Sequence, residues 1–294
     1  MKYKPLVSVV IPNYKKGVLL KRAVESVLKQ EYDNWECIIV DNQSGGFDAD
    51  YLNHISTHPK IKVLFIDNKG IIAKSRNKGI LNSSDKSDFI SFLDSDDWWH
   101  ESKLTHIINQ SLEYDIIFHK IIPVPFYYIL NFPFLLLRKR LNVTLSKLIY
   151  SGNCICNSAA TIRKKMILDL NLIRESKDFI AWEDYDLWLR ASKKGAKFHF
   201  IPRILTYYSI NNNNTKNDSA DLRIANNFSK HYLSDKSFID YPEWVIYTIF
   251  SSKIKLNLIA INNIFNTKAF FKLSIFLQFK LLINIIAHKL KSFY

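Results

Sequence analysis

Two aspartates at two-residue spacing, Asp94 and Asp96, come directly after the apolar run Phe89–Leu93. That run predicts a buried strand, and acids at positions i and i+2 beyond its end can both face an open cleft. Hard divalent cations such as Mg²⁺ take oxygen ligands, commonly one or two carboxylates together with substrate phosphates. The pair is therefore a candidate metal site, although most isolated Asp-x-Asp pairs are solvated loop acids. We expect the next acid, Asp97, to cap a helix that begins near Trp98.

A third acid closes another apolar run. Asp41 follows Ile38–Val40 and precedes Asn42. A carboxylate at this place can accept a hydrogen bond from a nucleobase imide or from a sugar hydroxyl. An aspartate before Asn42 is equally typical of a turn, so both interpretations stay open on the residue alone.

Glu183 and Asp184 stand among aromatic residues, with Trp182 before them and Tyr185 and Trp188 after them. An aromatic ring can stack on the apolar face of a sugar, and a neighbouring carboxylate can remove a hydroxyl proton. The pattern predicts a site for a sugar ring that includes Trp182 and Glu183. The alternative is a helix N-terminus, where acids are favourable, with Trp188 facing the core.

The spacing of the apolar residues predicts the elements that position these side chains. Strands are predicted at Leu6–Ile11, Trp35–Val40, Ile61–Ile66 and Asp88–Leu93, and helices at Leu19–Gln30 and Lys74–Leu81. Strands that alternate with helices at this spacing form a parallel sheet covered by helices, and ligands then lie beyond the carboxyl ends of the strands. Asn13, Asp41 and Asp94 all lie at such ends.

The regular alternation fades after about residue 115. A further strand is predicted over Asn153–Arg163, a helix within Phe179–Ser192 and a short strand at Phe198–Ile201. The predicted fold class is therefore α/β, with a mostly parallel sheet flanked by helices and a basic helical extension at the C-terminus.

The formal charge of +14 on 294 residues is concentrated in two acid-free stretches. Residues 116–168 contain eight Lys or Arg residues, and residues 244–294 contain seven lysines. The rest of the chain has 26 basic and 27 acidic residues, so its charge is close to zero. The net positive charge therefore belongs to these two basic segments, whereas the rest of the chain, which contains the candidate acids, is nearly neutral.

The basic segments allow three interpretations. Nucleic-acid binders combine basic residues with stacking aromatics, whereas these lysines alternate with long aliphatic residues, so we expect no nucleic-acid partner. An acid-free, apolar helix suits an anionic membrane surface. One helical arc would then collect the polar residues Lys272, Lys280, Asn284, His288 and Lys291. The alternative is a helical subdomain that packs on the body or forms a dimer.

Cysteine usage and hydropathy suggest where the chain works. Cys37, Cys154 and Cys156 are odd in number and contain no CxxC pair, which predicts a reducing compartment without disulfides or structural zinc. The longest uncharged apolar run, Ile121–Leu137, is broken by three prolines, so no membrane-spanning helix is expected. The predicted location is cytoplasmic, peripheral on the inner face of the cell membrane.

Taken together, the motifs resemble those of family 2 glycosyltransferases, which have the GT-A fold. The resemblance covers about residues 5–210, and it is carried in the family's order by VSVVIPNY (7–14), Asp41, NKGIIAKSRNKGI (68–80), FLDSDD (92–97) and WEDYDLWLR (182–190). It implies inverting, metal-dependent transfer of a hexose-type sugar from a nucleotide donor, in particular a UDP-sugar. The implied acceptor is a glycan or a polyprenyl-diphosphate-linked glycan of a cell-surface polysaccharide such as O-antigen or capsule.

The resemblance also implies roles for individual residues. The nucleotide is expected to contact residues near the ends of the first strands and on the third helix, namely Pro12, Asn13, Tyr14, Asp41, Arg76 and Asp94. Asp96, with Asp94 beside it, is expected to bind the divalent cofactor, Mn²⁺ or Mg²⁺. Asp184 is expected to be the general base, and the sugar at Trp182 and Glu183 would be the acceptor.

The sequence departs from the family pattern in three places. Asn13 stands where Thr is more frequent, and Asn42 replaces the second Asp of the uracil-binding pair. The segment Leu205–Asn211 lacks the Arg or His that is thought to hold the diphosphate in many relatives. The candidates to replace that residue are Tyr208, Asn211 and Lys216.

The predicted organisation has three parts. Residues 1–115 form the nucleotide-sugar-binding half of the GT-A domain, residues 116–220 the acceptor-binding and catalytic-base half, and residues 221–294 a helical, membrane-associating region. The rival hypothesis is a catalytically silent nucleotide-sugar-binding protein on the same scaffold. Such a protein would have no chemical need for Asp94, Asp96 and Asp184 together.

Overall fold

The computed structural model describes residues 4–111, 113–124, 143–210, 218–237 and 240–255, and the short pieces 273–274, 277–278 and 281–282. The chain forms two compact units. The first comprises residues 1–145 and 153–211, and the second comprises residues 146–152 and 212–294. The five residues of the predicted polar arc (Lys272, Lys280, Asn284, His288 and Lys291) lie outside the described residues, as do Asn211 and Lys216.

The first unit is an α/β domain. Its strands are β1 (Leu6–Asn13), β2 (Trp35–Asp41), β3 (Ile61–Phe65), β4 (Ser87–Phe92), β5 (Trp98–Trp99), β6 (Ile116–Val124), β7 (Thr161–Arg163) and β8 (Phe198–Ser209). Its helices are α1 (Val18–Leu28), α2 (Phe47–Ile55), α3 (Ile72–Leu81), α4 (Lys103–Ile108), α6 (Lys164–Asp169) and α7 (Glu183–Lys193). Helix α5 (Leu145–Ser151) belongs to the second unit except for its first residue.

The strands form one eight-stranded sheet in the order β3-β2-β1-β4-β7-β6-β8-β5. The first four strands are parallel to one another, whereas β7 is antiparallel to both β4 and β6, and β8 is parallel to β6. In this register Asn13 lies opposite Asp41 at the carboxyl ends of β1 and β2. The parallel half of the sheet therefore brings Asn13 and Asp41, two of the predicted nucleotide residues, to the same end of the sheet.

Both faces of β1 are buried, as its β-branched sequence predicts. On one face, Val9 and Ile11 pack in a cluster with Leu20 and Val24 of α1. On the other face α3 approaches so closely that a Cβ on Gly79 would lie 2.5 Å from Cγ1 of Val10. A glycine at this position of α3 thus allows a close helix–strand contact.

The predicted strand over Asn153–Arg163 is mostly wrong. Only Thr161–Arg163 is a strand, and Asn157–Ala159 forms a 3₁₀ turn. Asparagine and serine favour turns because their side chains compete for backbone hydrogen bonds. The turn directs the Ser158 carbonyl inward, where it accepts hydrogen bonds from Trp99 Nε1 at 2.8 Å and Thr206 Oγ1 at 3.2 Å.

The predicted helix near Trp98 is also wrong, and Asp97 caps nothing there. Trp98 pairs with Tyr207 as the short strand β5, in keeping with the preference of aromatic residues for strands. Asp97 instead accepts a hydrogen bond at Oδ1 from the backbone N–H of Ser209, at 2.8 Å. The strand predicted at Phe198–Ile201 continues to Ser209, with a register shift against β6 that accommodates Pro202.

The second unit is helical where the structure describes it. It contains α8 (Asp218–Tyr232) and α9 (Glu243–Lys255), and the rings of Phe228 and Trp244 meet edge to face at 4.8 Å. Trp244 Nε1 also donates a hydrogen bond to the Ile149 carbonyl at 2.8 Å. Among the described residues, we find no helix with the length and apolar character that crossing a bilayer requires.

Candidate active site

The loop after β1 is held by buried acids. Asn13 Nδ2 donates to Asp41 Oδ1 at 2.7 Å and to Asp48 Oδ1 at 2.9 Å, and all three side chains are buried. Asp41 Oδ2 accepts from the backbone N–H of Ser44 at 2.8 Å. Asp41 therefore forms the turn that one interpretation predicts, and its nucleobase contact stays a prediction.

Asp48 is a residue that sequence reasoning missed. It lies in the first turn of α2 and accepts backbone hydrogen bonds from Lys16 at 3.2 Å and from Gly17 at 3.1 Å. These bonds, with the one from Asn13, fix the course of the loop between β1 and α1. No sequence signal marks Asp48, because its partners lie about 30 residues earlier in the chain.

The other two predicted residues of this loop differ in exposure. Pro12 is buried within β1 opposite Val40, whereas Tyr14 is 52% exposed. Nζ of Lys15 lies over one face of that ring, 5.1 Å from its centroid. Tyr14 thus offers an accessible aromatic surface beside the buried Asn13 and Asp41.

The candidate metal loop follows β4. Asp94 accepts a 2.7 Å hydrogen bond from Arg76 Nη2, and Asp96 Oδ2 lies 2.7 Å from Lys16 Nζ. Within the described ranges no cluster of three or more His, Cys, Asp or Glu side chains could hold a metal by itself. The donor chemistry still fits a Mg²⁺-type ion, since such ions take one or two carboxylates and complete their shell with phosphate and water oxygens.

Arg76 links the metal loop to the first turn of α7. Its Nη1 donates to Glu183 Oε1 at 2.5 Å and its Nη2 donates to Asp94 Oδ1 at 2.7 Å. The hydrogen-bond network orients the Asn157 amide so that its oxygen accepts from Arg76 Nε at 3.1 Å. Burial lowers the pKa of Arg76, but Asp94 and Glu183 together raise it above its ordinary value. Arg76 is thus a permanent cation among three acceptors, and its nucleotide contact stays a prediction.

Asp184 has the electrostatic character of a base that works near neutral pH. Burial, and then repulsion from Glu183, raise the pKa of Asp184 to about 7, and the charge of Arg76 partly opposes this. Its Oδ1 accepts a 2.7 Å hydrogen bond from the backbone N–H of Tyr185. A carboxyl with this pKa exists as acid and base in similar amounts at pH 7, which suits proton transfer.

The aromatic residues around Asp184 are largely packed inside. Trp188 is fully buried against Phe92, as the core-facing alternative predicts. Trp182 is 3% exposed, and its Nε1 donates to the Asp178 carbonyl at 2.6 Å. The structure thus shows Trp182 supporting the start of α7, and its contact with an acceptor stays a prediction.

A cavity of about 340 Å³ brings four of the candidate residues together, whereas Pro12, Asn13, Tyr14, Asp41, Asp96 and Trp182 do not line it. One group of lining residues is charged, comprising Arg76, Asp94, Glu183 and Asp184. The other residues are less polar or uncharged, comprising Ile121, Asn153, Cys154, Ile155, Cys156, Asn157, Ala181 and Tyr208. The candidate base and the metal loop therefore face one shared space large enough for a sugar.

The 3₁₀ turn at Asn157–Ala159 supports this cavity from behind. Ser158 Oγ accepts a 3.1 Å hydrogen bond from the backbone N–H of Asp94. The Ser158 carbonyl also lies 3.4 Å from Nζ of Lys103, a fully buried lysine. Sequence reasoning missed both residues, because Ser158 Oγ and Lys103 Nζ meet partners that lie more than 50 residues away in the chain.

Comparisons with known proteins show the family to which the chain is related. Residues 8–166 match the model of glycosyl transferase family 2, a range that includes both candidate loops but ends before Asp184. The chain is 31% identical over 194 residues to the UDP-Glc:alpha-D-GlcNAc-diphosphoundecaprenol beta-1,3-glucosyltransferase WfgD of Escherichia coli, covering 64% of this chain and 70% of that protein.

A second relative is similar over a shorter stretch. The putative teichuronic acid biosynthesis glycosyltransferase TuaG of Bacillus subtilis is 36% identical over 103 residues, which span 35% of this chain and 40% of that protein. Among solved structures, the mannosyltransferase PcManGT of Pyrobaculum calidifontis, in complex with GDP-Man and Mn²⁺, superposes with a TM-score of 0.61 at 14% identity, covering 100% of this chain and 88% of that chain. The structural likeness confirms the expected GT-A fold. By the span of its family match, the chain belongs to glycosyl transferase family 2.

Proposed function

We propose that the chain transfers a hexose-type sugar from a UDP-sugar to a lipid-linked glycan acceptor during synthesis of a cell-surface polysaccharide. The observation that carries this proposal is the shared cavity, where Asp184 faces the same space as Asp94 of the metal loop. The printed name of WfgD, which specifies a UDP-glucose donor and a diphosphoundecaprenol-linked acceptor, supports both substrate classes.

The nucleotide would bind at the carboxyl ends of β1 and β2, with Pro12, Asn13, Tyr14 and Asp41 around the uridine and Arg76 behind it. Asn13 Oδ1 is buried and, among the described residues, has no hydrogen-bond donor. A buried acceptor without a partner is costly, so an N–H group such as the uracil imide would satisfy it. The exposed ring of Tyr14 beside it suits a planar base.

Asp96, with Asp94, would hold Mn²⁺ or Mg²⁺. When bound, such an ion supplies Lewis-acid stabilisation of the charge that develops on the departing diphosphate. The two carboxylates already face cationic side chains, Arg76 and Lys16, so the loop carries a compensated charge before a ligand arrives. The two ion pairs keep the carboxylates of Asp94 and Asp96 charged, as a metal ligand must be, and spare them the cost of an unpaired charge.

Asp184 would act as the general base. It accepts the proton of the acceptor hydroxyl while that oxygen attacks the anomeric carbon from the face opposite the diphosphate. A single displacement of this kind inverts the anomeric configuration, so an α-linked UDP-sugar gives a β-linked product. The β linkage in the name of WfgD is in keeping with this outcome.

The acceptor would reach Asp184 within the cavity, where Glu183 can accept a hydrogen bond from a sugar hydroxyl and the less polar lining can contact the apolar face of the ring. Trp182, which is buried, would contribute by supporting the start of α7. Residues 1–115 would then bind the donor, residues 116–220 the acceptor and residues 221–294 an anionic membrane surface. This arrangement places the enzyme peripherally on the cytoplasmic side, where it meets lipid-linked acceptors. The rival, a silent sugar-binding protein, has no use for a base tuned to neutral pH.

The proposal is tested by incubating the full chain and Mn²⁺ with a panel of UDP-sugars and a GlcNAc-diphosphoundecaprenol acceptor, followed by mass spectrometry. We expect a product one hexose heavier, which is lost on chelation of the metal. Asp96→Ala should abolish metal-dependent UDP binding, whereas the control Asp85→Ala, at an exposed acid, should not. Absence of product with every donor, together with normal UDP binding, would favour the silent binding protein.

A further inference from the structure

Lys16 neutralises the candidate metal ligand Asp96. Their Nζ and Oδ2 atoms lie 2.7 Å apart, with 34% of the lysine side chain and 15% of the aspartate side chain exposed. Lys16 comes from the loop after β1 and Asp96 from the loop after β4, two strands that pair directly in the sheet. The ion pair therefore lies beyond the carboxyl ends of β1 and β4, where nucleotides bind in such folds.

The backbone of Lys16 is fixed. Its N–H donates to Asp48, as does the N–H of Gly17, and its carbonyl accepts from Leu19 at 3.1 Å as α1 begins. Gly17 combines a φ of +55° with a ψ of −124°, a backbone conformation that favours glycine because it has no Cβ. The rigid loop thus delivers one flexible side chain, a four-carbon stem with a mobile ammonium, to the metal loop.

A bound nucleoside diphosphate needs a cationic side chain to balance its negative charge, and Lys16 can supply it. A nucleoside diphosphate brings two to three negative charges, and the segment Leu205–Asn211 contains neither Arg nor His. Arg76 is 4% exposed and already bonded to two carboxylates, so it has little freedom to turn to a phosphate. Lys16 is more accessible, and in the part of the chain that the structure describes the carboxylate paired with its ammonium is Asp96, the group that a divalent ion would take.

We propose that Lys16 is the diphosphate-binding cation of this enzyme and changes partner during the cycle. Before the metal and the nucleotide bind, its ammonium is paired with the Asp96 carboxylate. When the metal–nucleotide complex binds, the ammonium releases Asp96 and forms a charge-assisted hydrogen bond with a phosphate oxygen. This inference rests on the proposed function, and it identifies the residue that replaces the missing Arg or His.

The change of partner predicts two effects of opposite sign in Lys16→Met. Without nucleotide, removal of the competing ammonium should raise the Mn²⁺ affinity about threefold, within the range of a partly exposed ion pair. With Mn²⁺ present, loss of a charged hydrogen bond should lower the UDP affinity about tenfold or more. Uridine, which has no phosphate, should bind the variant and the wild-type chain equally.

The experiment is a titration of the full chain with Mn²⁺, followed by electron paramagnetic resonance, and with UDP and uridine, followed by calorimetry. Lys21→Met is the matched control, because Lys21 is exposed on α1 and pairs only loosely with Glu25 at 3.9 Å. Lys16→Arg, which keeps the charge, should retain most of the UDP affinity. It also tests the inference if Lys16→Met does not fold.

The outcomes separate this inference from the proposed function. Opposite shifts in Mn²⁺ and UDP affinity support the exchange of partners. A parallel fall in both affinities would make Lys16 a structural residue, and unchanged affinities would make it a bystander; either result overturns the inference alone. A wild-type chain that binds no UDP would overturn the proposed function as well.

Discussion

Arg76 Nη1 lies 2.5 Å from Glu183 Oε1, and this contact joins the middle of α3 to the first residue of α7. The two residues are 107 positions apart in the chain, and their side chains are 4% and 8% exposed. Nη2 of Arg76 also donates a hydrogen bond to Asp94 Oδ1 at 2.7 Å. A single buried cation therefore sets the relative position of the metal loop and the helix that carries the candidate base.

Replacement of Arg76 by Met should destabilise the fold strongly. Two carboxylates would lose their shared cation, and a broken buried pair typically costs about 3–5 kcal/mol. Denaturant unfolding would measure the loss. Arg174→Met is the control, because Arg174 is 43% exposed and its partner Asp186 keeps a second cation, so its loss should stay below about 1 kcal/mol. Equal losses in the two variants would contradict the central position of Arg76.

The rate of transfer should rise with pH through about 7, because Asp184 acts as a base only when it is deprotonated and its pKa is about 7. Glu183→Gln removes the neighbouring negative charge that helps to raise this pKa. The midpoint of kcat/KM against pH should therefore move to lower pH in that variant. A midpoint that stays in place, or moves upward, would show that Glu183 does not tune Asp184.

Lys103 should weaken the fold at low pH. Burial lowers its pKa well below the ordinary value, so the folded chain holds Lys103 neutral at a pH where the unfolded chain binds the proton. The stability that depends on this group is consequently lost as the pH falls. Its polar contacts, with Ser91 Oγ at 3.0 Å and the Trp99 ring, only partly offset the burial.

Lys103→Met therefore should stabilise the chain by about 1–2 kcal/mol at pH 6, because Met fills a similar volume without a charge. The gain should shrink at pH 9, because keeping Lys103 neutral in the folded chain costs less free energy as the pH approaches the ordinary lysine pKa of the unfolded chain. Urea unfolding at the two pH values measures both effects. A variant that is less stable than wild type by the same amount at both pH values would show that Lys103 is a net stabilising contact.

The N-terminal half of the fold could be predicted because its signals are local. The β-branched run at β1 and the apolar stripe of α1 identify a covered parallel sheet, and the sheet rule then locates Asn13, Asp41 and Asp94 at one edge. The C-terminal half resists this reasoning. Strand β8 passes through Pro202, and its pairing with β6 and β5 is set by contacts distant in sequence.

The supporting residues of the site were invisible in the sequence for the same reason. Asp48, Ser158 and Asn157 are ordinary polar residues whose importance depends on partners more than 30 positions away. For Asp97 the local pattern predicts a helix cap that the structure does not contain, because its carboxylate instead accepts a hydrogen bond from the backbone N–H of Ser209 on β8. Local patterns identified the acids that can do chemistry, whereas tertiary contacts decide what holds them.

The measurement that tests the account most directly compares Asp184→Asn with the wild-type chain in two assays under the same Mn²⁺ concentration. One assay measures sugar transfer to the lipid-linked acceptor, and the other measures UDP binding by calorimetry. Loss of the base should lower kcat by about 10²–10⁴-fold, while the Kd for UDP stays within about twofold because Asp184 is not expected to touch the nucleotide. Transfer by Asp184→Asn at the wild-type rate would contradict the assignment of the base and the mechanism built on it.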